Sequence, residues 1–168
     1  MIEFEPLRKE HLSLLREWLA RPHVRPWWRD SIDDSIREYE QAIAGLDPSD
    51  HYLIVVDERP IGLIETYAVS DHPEWEAIVQ VGEGVAGVDL LIGEADLTGR
   101  GLGPRILADF VERVAFARPD TLACVAAVDE ENRRSWRAFE KAGFSYDRDV
   151  EEEGHPHRLM RLDRGYAQ

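Results

Sequence analysis

The sequence has a single cysteine, Cys124, in 168 residues, so no internal disulfide framework holds it together. It has no long apolar run either. The longest purely aliphatic stretch is Leu53–Val56, far short of a membrane span. The opening segment, MIEFEPLRKE, lacks the basic-then-apolar order of a secretion signal, so a cytoplasmic protein without a membrane partner is expected. Positive charge is scarce: 20 Lys plus Arg stand against 34 Asp plus Glu, a formal net charge of −14. That balance argues against nucleic acid, whose phosphates need Lys and Arg, and favours a cationic partner. The scarcity is sharpest from Pro60 to Gly99. No Lys or Arg occurs there, against eight acids: Glu65, Asp71, Glu74, Glu76, Glu83, Asp89, Glu94 and Asp96. Like charges so concentrated either form a solvated face or line a cleft for a polycation. The six histidines fall at no firm metal-ligand spacing, so no metal is expected.

What is present suffices for a folded domain. With 43% hydrophobic and 32% charged residues the chain reads as globular. A chain of this length buries roughly 70% of its unfolded surface. No repeat, low-complexity tract or linker interrupts it, so residues 1–168 are expected to form a single domain.

Patterning predicts a mixed α+β (α/β) order. Ile2–Glu5 alternates as a strand, and Lys9–Ala20 carries Leu12, Leu15, Trp18 and Leu19 at helical spacing. Arg21–Asp30 is a proline-punctuated loop with two adjacent tryptophans, Trp27 and Trp28. A second helix starts at Ser31 and ends at Gly45. His51–Val56 and Ile61–Val69 pair as a hairpin across a turn at Asp57–Pro60. Ser70–Gly84 reads as a long acidic loop, with Ile78–Val81 strand-like, and Val85–Ile92 is the fourth strand. A helix over Pro104–Phe116, a strand over Thr121–Val128 and a helix over Glu130–Ala142 follow. Phe144–Val150 and His157–Leu162 close the chain as strands. Glu151–Gly154 is expected at their hairpin's tip, with His155-Pro-His157 in a solvated turn.

Between the fourth strand and a strong helix lies Thr98-Gly99-Arg100-Gly101-Leu102-Gly103-Pro104. Glycines let a backbone turn tightly and bring N–H groups to a ligand. A helix N-terminus adds orphan donors and partial positive charge, so the segment suits a phosphate or pyrophosphate. It lacks the GK[ST] ending of a P-loop. It also comes too late, after a hairpin, for a dinucleotide fingerprint.

The order of elements and two motifs resemble the GCN5-related N-acetyltransferase (GNAT) family. Thr98–Gly103 resembles that family's [QR]-x-x-G-x-[GA] acyl-CoA loop, with Thr98 in place of Gln or Arg. Asn132–Phe144 resembles its N-x-x-A-x-x-x-Y-E-K-x-G-F helix, with Phe139 where a Tyr often protonates the departing thiolate. An Asp often found five residues before the Asn is replaced by Ala127, which leaves Asp129 as a substitute. Within the family the chain looks most like aminoglycoside 6′-N-acetyltransferases, through His23–Trp28, Pro60–Tyr67 and Gly87–Ile92. The resemblance implies a central, mostly antiparallel sheet of about seven strands, splayed between strands four and five and flanked by about four helices.

It also implies the chemistry. Acetyl-CoA would be the donor, held by Thr98, Gly99, Arg100, Gly101, Leu102, Gly103, Pro104 and Asn132, with N–H groups at Leu91 and Ile92 polarising the thioester carbonyl. A polycationic aminoglycoside would be the acceptor. Its reacting amine must be neutral, which for a simple alkylamine costs about 4 kcal/mol at pH 7. A carboxylate that binds an ammonium raises its pKa, so binding acids and base should be different residues. Asp89 is the expected base and Glu74 the second choice. Glu65, Asp71 and Asp129 would bind other ammonium groups, and Trp27, Trp28 and Tyr67 would line the sugar. Packing is the alternative role for Trp27, Trp28 and Tyr67, and Cys124 is expected to be inert in the core. Other acceptors stay open: a hydroxylysine-type siderophore precursor, a polyamine or a protein N-terminus. So does a non-catalytic acyl-CoA sensor or antibiotic-binding protein. A monomer or a homodimer is expected.

Overall fold

Period-two and period-3.6 patterns become strands and helices in a computed structural model that describes residues 1–165. In chain order these are β1 (Ile2–Pro6), α1 (Leu12–Leu19), α2 (Ile32–Ile43), β2 (Asp50–Val56), β3 (Arg59–Ala68), α3 (Pro73–Val79) and β4 (Val85–Ile92). Then come α4 (Leu102–Phe110), β5 (Ala123–Asp129), α5 (Arg133–Lys141), β6 (Ser145–Glu152) and β7 (His155–Asp163). The strands form one seven-stranded sheet in the order β1-β2-β3-β4-β5-β7-β6. The β1–β2, β2–β3, β5–β7 and β6–β7 pairs are antiparallel. The β4–β5 pair is parallel, and its register consists of Val85↔Ala123, Ala86↔Cys124 and Gly87↔Val125. β4 runs on to Ile92 and β5 to Asp129 beyond that short ladder. Among the described residues no helix is long and apolar enough to cross a membrane.

The chain divides into two compact units. The first comprises Met1–Thr66 and Asp89–Thr98. Its core takes Leu12, Leu15, Trp18 and Leu19 from α1, Ile36 and Tyr39 from α2, Leu53 and Val55 from β2, Leu63 from β3 and Leu91 from β4. α2 begins where Ser31 Oγ accepts the Asp34 N–H at 3.1 Å, with Asp33 and Asp34 in its first turn facing the dipole. Gly62 lets the backbones close up: a Cβ there would overlap the Leu91 carbonyl oxygen.

The second unit comprises Tyr67–Val88 and the described residues from Gly99 onward. Its core joins Val69, Val79, Val85, Ala123, Val125 and Leu159, with Tyr67 and Trp75 packed against them. α4 buries Ile106, Leu107 and Phe110 and ends in a π turn over Val111–Ala115. Cys124 is buried there, and burial pushes its thiol up to about 12, so it is inert at neutral pH.

Several expectations need correction. Ser70–Gly84 is not all loop and Ile78–Val81 is not a strand, because Pro73–Val79 is a helix. Pro73 stands at the first turn, where its missing N–H costs nothing. Glu74 and Glu76 complement the dipole there, and Trp75 and Val79 lie one turn apart against the core. His155-Pro-His157 is not a solvated turn: β7 starts at His155, and His157 is buried. The register Glu152↔His155 leaves Glu153 and Gly154, both at positive φ, as a two-residue hairpin turn. Likewise Arg59 and Pro60 belong to β3, and the turn is Asp57-Glu58. α4 starts two residues before Pro104, and α5 starts at Arg133 because a turn at Asp129–Asn132 precedes it.

Candidate active site

In the first unit, the tryptophan loop is fixed by its own basic residues. Arg21 Nη1 donates to the Gly93 carbonyl at 2.9 Å and to Glu94 Oε2 at 2.8 Å. A ring nitrogen of His23 lies 3.0 Å from the Ile92 carbonyl oxygen. The loop carrying Trp27 and Trp28 is thereby tied to the C-terminal end of β4. Trp28 packs against the core, while Trp27 is 36% exposed. Leu91 is buried in that core and Ile92 is half-buried.

Glu65 and Asp89, both expected at the site, act on one further residue of this unit, Tyr39. The buried Tyr39 hydroxyl is pushed well above its ordinary pKa by burial first, and then by Glu65, Glu38, Asp89 and Asp30. Its neighbour Glu38 is raised too, by lost hydration and by Glu65, Asp30 and Asp47. Glu65 faces His51 across the β2–β3 pair, with Oε2 2.5 Å from the imidazole Nε2. Four carboxylates therefore act on Tyr39, and a fifth, Asp47, acts on Glu38. Glu38, Asp30, Tyr39 and His51 thus join the two expected acids. In the sequence, Tyr39 and Glu38 are neighbours on a helix whose spacing marks neither as a site residue.

The remaining acids of the lysine-free and arginine-free run are differently employed. Glu94 accepts from Trp18 Nε1 at 3.2 Å and from Arg21, lies 3.4 Å from Arg59, and has its carboxyl held low by them. Asp96 takes both Arg59 Nη groups, at 3.2 and 3.1 Å. Thr98 Oγ1 donates to the Ala95 carbonyl, closing the turn before the glycine segment.

In the second unit, Gly99 and Gly101 have φ of +75° and +74°, a backbone shape that L side chains rarely adopt. Gly101 is the N-cap of α4, and that cap makes no side-chain hydrogen bond. No acid occupies the first turn. Leu102, Gly103 and Pro104 form that turn, and a Cβ on Gly101 would meet nothing within 4 Å. Arg134 of α5 sits 3.7 Å from where a Gly99 Cβ would lie, and Arg100 and Arg105 are exposed. An uncapped, acid-free helix start beside arginines fits a diphosphate.

The other predicted residues of this unit are spread over several elements. Tyr67 is half-buried, edge-on to His72 at 5.0 Å. Asp71 and Glu74 are exposed at the start of the α3 segment. Asp129 is buried, and its Oδ1 accepts the Glu131 N–H at 2.9 Å, which gives it a turn-closing role. Asn132 caps α5, its carbonyl accepting from Ser135 and Trp136. Phe139 is buried edge-on to Phe144 at 5.0 Å, a packing role with no proton to give.

The fold is that of an acyltransferase. The chain belongs to the acetyltransferase (GNAT) domain family, whose model matches residues 8–152. The aminoglycoside N(6′)-acetyltransferase type 1 of Klebsiella pneumoniae is 31% identical to it over 146 residues, 82% of this chain and 71% of that protein. Among solved structures, the aminoglycoside acetyltransferase AAC(6′)-Ib with coenzyme A and kanamycin superposes with a TM-score of 0.87. It is 27% identical and covers 98% of this chain and 95% of its own. The same enzyme with paromomycin and acetyl-CoA gives 0.86 at 27% identity, over 97% and 93%.

Proposed function

We propose that this protein transfers the acetyl group of acetyl-CoA to the 6′-amine of an aminoglycoside, as one acyltransferase domain, and confers resistance in the cytoplasm. The observation that carries the acceptor class is the group Glu65, Glu38, Asp89 and Asp30 about Tyr39, which a multiply charged amine would neutralise. Kinship to the Klebsiella enzyme and the structural match to AAC(6′)-Ib supply the rest.

When bound, acetyl-CoA supplies an activated acetyl thioester. Backbone N–H groups at Gly99–Gly103, with Arg100 beside them, hold its diphosphate, and Asn132 flanks that group. N–H groups at Leu91 and Ile92 stabilise negative charge on the acyl oxygen. Asp89 takes the proton from the acceptor ammonium. It lies two residues before Leu91, on the same face of β4. Glu65 binds a neighbouring ammonium and Trp27 covers a sugar face; Tyr67, Asp71 and Glu74 are the candidates for acceptor contacts in the second unit. Overall a C–N bond replaces the C–S bond; of the two protons the ammonium loses, one passes through Asp89 to solvent and the other ends on the leaving thiol.

The test is release of free thiol from acetyl-CoA with a panel of amines. Release dependent on kanamycin or tobramycin is expected, with mass spectrometry placing the acetyl group on the 6′-amine. Release with polyamines or a hydroxylysine-type amine alone would transfer the reaction to another acceptor.

A further inference from the structure

We infer that His51 is a positioning residue of the acceptor site: its imidazole holds the Glu65 carboxylate across β2 and β3, and its protonation sets the negative charge that site presents. This rests on the reading of Glu65 as an acceptor-binding group given above.

Geometry confines the pair. His51 and Glu65 are directly opposed in the antiparallel register, with Nε2 and Oε2 2.5 Å apart. The imidazole side chain is 5% exposed and the carboxylate 17%. Tyr39 stands edge-on to the imidazole, with centroids 5.2 Å apart and planes at 65°. Nδ1 is buried and has no hydrogen-bond partner. A ring so enclosed has one polar anchor, the Glu65 carboxylate. Burial of a polar nitrogen without a partner is costly, so this placement asks for a compensating use.

The charge around the ring is one-sided. Glu65 faces it from β3, Tyr39 and Glu38 from α2, and Asp47 from the loop after α2. β1 meets it through the Leu7 N–H, which donates to the His51 carbonyl at 3.0 Å. Burial lowers the affinity of the ring for a proton, but Glu65, Asp47 and Glu38 outweigh it, and the net shift is upward. With the proton on, the His51–Glu65 pair is neutral overall. With it off, the pair carries one negative charge. A cationic acceptor therefore meets a more attractive site as pH rises through the His51 transition.

The experiment compares wild type with H51Q, H51A and E65Q, using kanamycin and acetyl-CoA from pH 5.5 to 9. Ratios of variant to wild type cancel the titration of the antibiotic's own amines. H51Q keeps a donor to Glu65 but does not titrate. Wild-type KM for kanamycin should exceed that of H51Q several-fold at the acid end and converge with it at the alkaline end. H51A should raise kanamycin KM about tenfold at the alkaline end, the loss of one positioned charged contact, and by less at the acid end, where it also removes the imidazolium that neutralises Glu65, with the acetyl-CoA KM unchanged. Should H51A not fold, the H51Q ratio across pH decides alone. A flat H51Q ratio overturns the inference, as does an E65Q enzyme with wild-type kanamycin KM; both leave the enzymatic reading standing. A wild-type protein that acetylates no aminoglycoside overturns that reading and this inference with it.

Discussion

Glu94 and Glu65 are glutamates of the same unit with nearly equal exposure, 19% and 17%, yet they sit in opposite electrical settings. Glu94, just past β4, meets Arg21, Arg59 and the Trp18 indole N–H. A guanidinium never gives up its proton, so that carboxylate is permanently neutralised and its pKa is lowered, first by Arg21. Glu65, in β3, meets one imidazole, and its further neighbours are acids. Its countercharge can be switched off. Burial alone therefore does not separate the two settings; the identity of the partner does.

The comparison can be broken from its structural side first. E94A leaves the Arg21 and Trp18 donors without their acceptor and should cost about 2 kcal/mol in urea denaturation, with kanamycin KM unchanged in the folded fraction. The sign of its pH dependence follows from the lowered pKa. The contribution is complete above the ordinary carboxylate range and is lost as pH falls through the lowered value, so E94A should show a shallower loss of stability on acidification. An acceptor KM that moves with E94A would erase the distinction between the two regions.

On the binding side, D89N should reduce kcat at least tenfold, about 1.4 kcal/mol in barrier, while acetyl-CoA binding measured by calorimetry is retained. Unchanged kcat removes Asp89 from the mechanism. E38Q deletes one of the carboxylates near His51 and should raise kanamycin KM about threefold, the weight of one partly screened charge. The smallest effect is expected from D96N. Its two bonds to Arg59 are exposed, and the loss should stay below about 0.5 kcal/mol.

These cases also show what a sequence can and cannot carry. Val85–Ile92 is legible to the residue as a strand, because its apolar run is local. The backbone of the glycine segment is legible because its cues are adjacent in the chain, and α4 indeed starts uncapped after Gly101. The acidic run was less legible. Glu94 and Asp96 lie in a stretch without a base, but their guanidinium partners sit 73 and 37 residues away in Arg21 and Arg59. Conversely, Glu38 and Asp30 join Glu65 and Asp89 from outside that run. α3 stayed hidden because its seven residues offer only Trp75 and Val79 as a stripe, beneath acids that read as loop. Asp129 has a local use that the pattern of charges did not show: a carboxylate two residues before a backbone N–H can accept from it, and Asp129 does.

Gly62 carries a consequence for anyone reshaping this enzyme. Leu91 presses its carbonyl into the space where any other amino acid would put its first carbon. Even a methyl there would act as a wedge beneath the peptide proposed to cradle the acyl oxygen. A library that varied this spot would lose turnover through displaced backbone, with every reactive side chain still in place.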